Sequence, residues 1–369
     1  MATTAPNTTT GTRTDTPIQP RFNLRTLGQQ QWVMRYGITL LAGIILFVYL
    51  LPMLYAIITS LKTSGQASDS RAPILPMDNV KVEVDGELYD ILLVPIGDGV
   101  TRELVLIDPG RRTSVFVDPN NPDAEPIEWE GNWRQLEPVR ELSIQWNNYA
   151  LAWNFIEFPR LLGNTLFYAI VTMIGTLVSS SLVGYGFARF RFPGKNILFA
   201  ILMSTIILPP AVTLVPTYAF FVSVLGWGGT WLPLIVPQMF GNAYNIFLMR
   251  QYFMTIPREM EEAAYIDGAG PLRTFWSIII PQSIPALTAV ALFHFFFAWN
   301  DFFGPLVYLA GSRERNPISV GLTEFNGIYN SDPNLLLAAA IISMILPLAL
   351  FFMAQRVFVQ GIVITGVDK

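Results

Sequence analysis

Long apolar runs separated by short polar stretches set the pattern of this 369-residue chain. Residues 36–58, 161–188, 197–222, 231–249, 284–306 and 335–358 are each nearly free of charge. Each reaches or approaches the ~20 residues that cross a hydrocarbon layer as a helix. They predict six membrane-spanning helices. Residues 1–31 are rich in Thr, Pro and Gln and show no apolar period, which predicts a mobile tail. The apolar run that follows is too long for the core of a signal peptide, and no small-residue cleavage pattern succeeds it. Residues 62–145 change period. VKVEV, LYDILLV, ELVLI and TSVFV alternate as strands do, and DG, GDG, DPG and DPNNPD punctuate them as turns. The fold class expected is an all-α polytopic membrane protein with a small β-rich insert between its first two spans. The boundaries expected are a tail at 1–31, a first span within 32–61, the insert and its loop at 62–145, a transmembrane core at 146–358 and a second tail at 359–369.

Composition agrees with that pattern. Hydrophobic residues make up 52% of the chain and charged residues only 14%, against about 25% charged in soluble domains. There is no cysteine and a single histidine, His294, so neither a disulfide framework nor a metal site is expected. No G-x-x-x-x-G-K-[ST] phosphate loop is present, and FPGK at 192–195 lacks its spacing. With no Ser/His/Asp or Cys/His set, this chain is expected to catalyse nothing and to hold no cofactor. Membrane lipid is an expected partner; nucleic acid is not.

Charge supplies an orientation. Residues 69–141 carry 16 acids and 7 bases, net −9, so the rest of the chain is net +5. Arg13, Arg21, Arg25 and Arg35 precede the first span. Arg189, Arg191 and Lys195 join the second to the third, Arg250, Arg258 and Arg273 flank the loop at 256–282, and Arg356 and Lys369 follow the sixth. All fall on one side in a six-span count, which the positive-inside rule makes the cytoplasm. Lys62, Arg160, Arg313 and Arg315 fall outside, with the acidic insert and the loop at 311–332.

The loop at 256–282 is the most distinctive segment. Pro257 suits a first helical turn, Glu259, Glu261 and Glu262 suit a helix N-terminus, and Asp267-Gly268 followed by Gly270-Pro271 stops one helix and starts another. A helix–turn–helix at the membrane surface follows. Its spacing is that of Glu262-Ala263-Ala264, then Gly268, then, after nine residues, Ile278-Ile279-Ile280-Pro281. In this it resembles the permease subunits of binding-protein-dependent ABC importers, departing only where Ile280 replaces a Leu. TSLKT, GYGFARFRFPGK, LPP at 208–210, WNDFFGPL and QRVFVQGIVITGV extend the likeness to the carbohydrate-uptake branch of the maltose-transporter MalG type. It covers about 31–369, the insert excepted.

The resemblance implies a type I ABC importer permease fold. Glu262, Ala263, Ala264, Asp267, Gly268, Ile278 and Pro281 would form the element that docks on an ATPase, with Glu262 meeting a basic residue there. It also implies a second homologous permease, an ATPase dimer carrying ATP and Mg, and an extracytoplasmic sugar-binding protein touching Asn316, Pro317, Gly327 and Asn330. The tail near 360–369 would reach toward the ATPase. From the residues themselves, His294, Asn300 and Asp301 are polar groups in or beside a span, open to a role in the translocation path or in packing. The stripe Thr176, Ser180, Gly184 and Ala188 predicts close helix packing. An ion-coupled transporter needing no ATPase, and a membrane-anchored sensor, are the competing readings.

Overall fold

The computed structural model describes residues 24–69, 72–84, 86–97, 100–121, 125–327 and 332–364. The chain divides into two compact units, Met1–Leu54 and Tyr55–Lys369. The first holds most of helix α1 (Leu24–Ser60), in which Met34–Ser60 is long and apolar enough to cross a membrane. α1 begins at Leu24 and not at 32, because residues 24–31 are mostly good helix formers. Residues 1–23 of the expected tail lie outside the described residues.

In the second unit, short α2 (Ser64–Ser68) leads into strands. β1 (Met77–Asn79) pairs with β8 (Arg140–Leu142). Between them β2 (Lys81–Val84), β3 (Glu87–Ile96), β4 (Val100–Asp108), β5 (Thr113–Val117) and β6 (Ile127–Glu130) form an antiparallel meander, and β7 (Glu137–Pro138) pairs with β3. Period-two alternation gives this sheet two small cores. Val84, Ile91 and Val105 fill one, while Val94, Leu104 and Phe116 fill the other. Trp129 closes the second core, edge-on to Phe116 and donating its indole N–H to the Pro95 carbonyl at 3.0 Å.

The helical part runs α3 (Asn147–Phe155), α4 (Phe158–Arg189), α5 (Lys195–Ser204), α6 (Pro210–Tyr218), α7 (Leu232–Ile235), α8 (Ala243–Thr255), α9 (Glu259–Ile266), α10 (Pro271–Thr274), α11 (Ile280–Gln282), α12 (Ile284–Trp299), α13 (Phe303–Tyr308), α14 (Ile318–Gly321) and α15 (Pro333–Ile364). Among the described residues, α4 and Pro333–Gln355 of α15 are also long and apolar enough to span alone. Lys195–Ile207 with Val212–Val224, and Pro271–Gln282 with Ile284–Trp299, reach that length only as pairs bent by 100° and 78°. Prolines 209, 210 and 285 lie at these breaks, where their missing N–H groups interrupt the helical ladder.

The stretch at 231–249, expected as one span, is not a single helix. α7 ends at Ile235, a tight 3₁₀ turn covers Pro237–Phe240, Gly241 takes φ +73°, and Asn242 caps α8 by accepting from the Asn245 N–H at 2.9 Å. Pro233, Pro237 and Gly241 together forbid a continuous rod. α15 continues to Ile364, past the boundary expected at 358, and residues 365–369 lie outside the described residues.

α4 is the spine of the second unit. Its Thr176, Ser180, Gly184 and Ala188 are all buried. The reason is closest at Gly184, where a Cβ would stand 3.0 Å from Met249 Cβ and 3.1 Å from the Arg250 backbone nitrogen of α8. A second anchor is Asn148 on α3, 6% exposed, whose amide donates at 2.8 Å to the carbonyls of both Ser60 and Lys62. It satisfies the carbonyls left over where α1 ends.

Gly184→Val is expected to destabilise the protein by about 2–3 kcal/mol through overpacking. Gly186→Ala, which meets open space, is expected to stay within about 0.5 kcal/mol. Melting of the purified protein in one detergent compares the two.

A candidate coupling loop and an intramembrane cavity

α9 opens on Glu259, Glu261 and Glu262, acids that the positive end of the helix dipole favours. It closes with a two-bond turn, Ala269 N–H to Ala264 C=O at 2.9 Å and Gly268 N–H to Tyr265 C=O at 3.1 Å. This geometry requires a left-handed residue after the helix, and Gly268 supplies it at φ +80°. Pro271 then starts α10, and the chain reaches Ile279 through a wider π-type turn before α11.

The helix has two unlike faces. Glu262, Ala263, Asp267 and Gly268 are exposed, as is Ile266 at 87%. Ala263, Ala264, Asp267 and Ile278 share the wall of one shallow depression of about 280 Å³ with Arg273. Pro281 stands apart in α11, exposed, before the sharp bend into α12. The face turned inward carries Ala264 and Glu261.

Glu261, expected only as an acid suited to the helix N-terminus, has a partner that the sequence did not single out. Its Oε1 stands 2.5 Å from Arg189 Nε at the end of α4, and the two side chains are only 8% and 7% exposed. Arg189 also donates through Nη2 to the Ile256 carbonyl at 2.7 Å, where the loop begins. Burial pushes the Glu261 carboxyl above its ordinary value, against the pull of Arg189 and then of Arg258. Tyr185 and Phe275 each meet Phe253 edge to face and lie tilted against each other beside the pair. A signal existed in Glu261-Glu262. Adjacent helical positions point about 100° apart, so only one of two neighbouring glutamates can share the face of Ala264. Glu261, three residues before it, is that one.

The three polar residues considered for a path are separated. His294, 3% exposed, borders a cavity of about 550 Å³ shared with Thr205, Gln238, Asn242, Tyr244 and Phe297. Its Nε2 lies 3.5 Å from Thr176 Oγ1, which donates to the Gln238 carbonyl at 3.2 Å. Asp301 is engaged elsewhere, accepting from Tyr168 Oη at 2.7 Å and from the Gly304 N–H at 3.1 Å. Asn300 donates to the Phe296 carbonyl at 2.8 Å and borders a different depression beside Trp299 and Ser343. Asp301, half-buried, is held where two donors converge on it, as a carboxylate withdrawn from water requires. Gln238, Asn242 and Tyr244, not singled out beforehand, are the polar groups that join His294.

The residues expected to touch a binding protein also divide. The Asn316 carbonyl accepts from Asn164 at 2.9 Å, Pro317 is buried where it precedes α14, and Gly327 is exposed. Asn330 lies outside the described residues. Nearby, Arg313 and Glu324 form a two-bond pair at 3.1 and 2.6 Å, and Arg315 donates to the Gly229 carbonyl at 2.7 Å.

Comparison with known proteins places this geometry. The family model "Binding-protein-dependent transport system inner membrane component" matches residues 180–364, and the chain belongs to that family. The "Osmoprotective compounds uptake permease protein GgtD" of Synechocystis is 36% identical over 56% of this chain and 69% of that protein. A probable ABC transporter permease of Pyrococcus horikoshii is 36% identical over 64% of this chain and 85% of its own length. The "sn-glycerol-3-phosphate transport system permease protein UgpE" of Rhizobium meliloti is 36% identical over 57% and 74%. In structure the chain is similar to a subunit of "a bacterial ABC transporter involved in the import of the acidic polysaccharide alginate". The TM-score is 0.62 at 20% identity, over 92% of this chain and 99% of that one. That likeness shows the fold, a helical type I ABC permease.

Arg189→Ala strands a buried carboxylate and is expected to cost about 3–5 kcal/mol, whereas the double replacement Arg189→Met with Glu261→Leu recovers most of it. A double-mutant melting cycle measures the difference. The folded protein binds the Glu261 proton more readily than the unfolded chain does. The contribution of Glu261 to stability therefore falls as pH rises from the unfolded value of about 4.5 to the raised folded one, and Glu261→Gln removes that slope.

Proposed function

We propose that this chain is one permease of an ATP-driven importer whose substrate is a hydroxyl-rich solute of the sugar class, delivered by an external binding protein. ATP and Mg belong to a separate ATPase dimer, and a second homologous permease completes the pathway. The observation that carries the proposal is α9. It is an acid-led helix with an exposed Glu262–Asp267 face, closed by a glycine turn and tied from behind by a buried ion pair. Such an element suits a docking lever better than a solvated loop, because its outer face is free while its inner face is fixed. Relatives named for uptake of osmoprotective compounds and of glycerol phosphate support the polyol and sugar class. So does the cavity beside His294, where amides, a phenol and an imidazole stand among Phe293 and Phe297.

In this reading the broken stretches count as spans, making six, and both termini face the cytoplasm. The strands between β1 and β8 then lie outside, where an acidic surface suits docking of the binding protein. The domain boundaries follow the same count, with the coupling loop at 256–282. Glu262, Ala263, Ala264, Asp267 and Gly268 form the ATPase contact, with Ile278 beside them and Pro281 at the bend behind. Gly327 is the exposed candidate for binding-protein contact, and Asn330 is placed in the same loop by sequence alone.

Two experiments test this. The ATPase subunit is expected to co-purify with the wild-type chain and to be lost from Gly268→Pro and from Glu262→Lys. Absence of any ATPase from the wild type would turn attention to ion-coupled transport. Because the chain has no cysteine, Ile266→Cys and Leu88→Cys give clean single labels. A membrane-impermeant maleimide is expected to reach position 88 from outside intact cells and position 266 only after lysis.

A further inference from the structure

The turn between α4 and α5 gathers positive charge without an answering acid. The charges that act on Lys195 are those of Arg250, Arg258 and Arg191, and no carboxylate is among them. Among the described residues, Arg191, Arg250 and Arg258 make no ion pair, since the four pairs present lie elsewhere. Glu261 is held by Arg189 and acts more weakly on Arg258. Arg250 lies over the Phe199 ring at 4.3 Å, and its Nε is buried with no hydrogen-bond partner.

The backbone adds to the same field. Lys195 is the first residue of α5, where the helix dipole disfavours a cation. Gly194 precedes it in the left-handed region and offers no side-chain cap to the first N–H groups. A depression of about 500 Å³ opens here, lined by Arg191, Phe192, Gly194, Lys195, Asn196 and Ile197. Beside it Phe190, Phe192, Ile197 and Leu198 are exposed at 43%, 37%, 68% and 50%. Cations at the mouth of an apolar, exposed helix start match one chemistry, a phosphate joined to acyl chains.

We propose that the α4–α5 turn binds the headgroup phosphate of an anionic phospholipid, held by Arg191, Lys195 and the first turn of α5, with the acyl chains along Ile197 and Leu198. The leaflet, cytoplasmic, rests on the orientation proposed above; the headgroup chemistry does not. The occupant is a lipid and not a soluble acid because the cationic groups and the exposed apolar groups are contiguous.

The test uses the full chain, stripped of lipid in detergent and titrated with phosphatidylglycerol or phosphatidylcholine under native mass spectrometry. Phosphatidylglycerol is expected to be retained in preference to phosphatidylcholine. Each basic residue near an anionic headgroup is worth about fivefold in affinity, so Arg191→Gln with Lys195→Gln is expected to lose about 30-fold. Lys195→Arg is expected to keep the preference, and Arg134→Gln, on the strand-rich part, to leave it unchanged. Equal retention of the two lipids would overturn the proposal. So would melting protection by inorganic phosphate equal to that by phosphatidylglycerol. Loss of ATPase co-purification from the double variant, with lipid retention intact, would assign the cluster to the ATPase instead. Lipid retention is read on this chain alone, so its failure is separable from failure of the transport reading.

Discussion

The buried pair of Arg189 and Glu261 is the constraint on which the placement of the loop depends. Removing two charges from water is expensive, and their attraction offsets that cost only when the geometry is good and the remaining polar atoms are satisfied. Here Arg189 spends a second arm on the Ile256 carbonyl, where α8 ends and the loop begins. Tyr185, Phe253 and Phe275 wall off the water below. A hydrophobic contact in the same place would hold α9 against α4 as firmly. It would also tolerate sliding, since apolar packing is non-directional. The ion pair of Arg189 and Glu261 fixes position by its short contact, although its two facing atoms are not aligned as a hydrogen bond.

The membrane part obeys a different constraint. Within a hydrocarbon layer a backbone group has no water to fall back on, so a broken helix survives only where protein or a cavity satisfies it. The break at Gly241 meets that condition. Asn242 caps α8, the Gln238 carbonyl accepts from Thr176, and the opening left between these elements is the cavity beside His294. The glycines of α4 serve the same end. At Gly175 a Cβ would stand 2.3 Å from Met239 Sδ, the movable end of that side chain, and 3.4 Å from its Cα, so the broken segment lies close against the spine there.

How much of this was legible depended on how local each feature is. The loop was legible because an acid-led first turn, two alanines, a left-handed glycine and a following proline are choices made within a dozen residues. Its anchor was not, because Arg189 and Glu261 lie far apart in sequence and either could have been a solvated surface charge. Asp301 was left open for a related reason. Its partner Tyr168 is 133 residues away, and a lone carboxylate near a span looks alike whether it serves transport or packing. The stretch at 231–249 read as one span because apolar content measures length well and continuity poorly. Its two prolines and its glycine carried the missing information.

A single rigid element connects the two regions. α4 runs unbroken from Phe158 to Arg189, with its one proline confined to the first turn. Its last residue grips Glu261 of the loop, and Thr176 on the same helix touches His294 at the cavity. Those positions are 13 residues apart, about 20 Å along a helix at 1.5 Å per residue. A displacement applied to α9 therefore enters α4 at its end, through a contact that resists sliding. It arrives at the cavity wall without an intervening hinge. The path through α10, α11 and α12 is the softer of the two, since it crosses a π-type turn and a 78° bend. The His294 side chain of α12, facing Thr176 of α4, stands where these two routes from the loop meet.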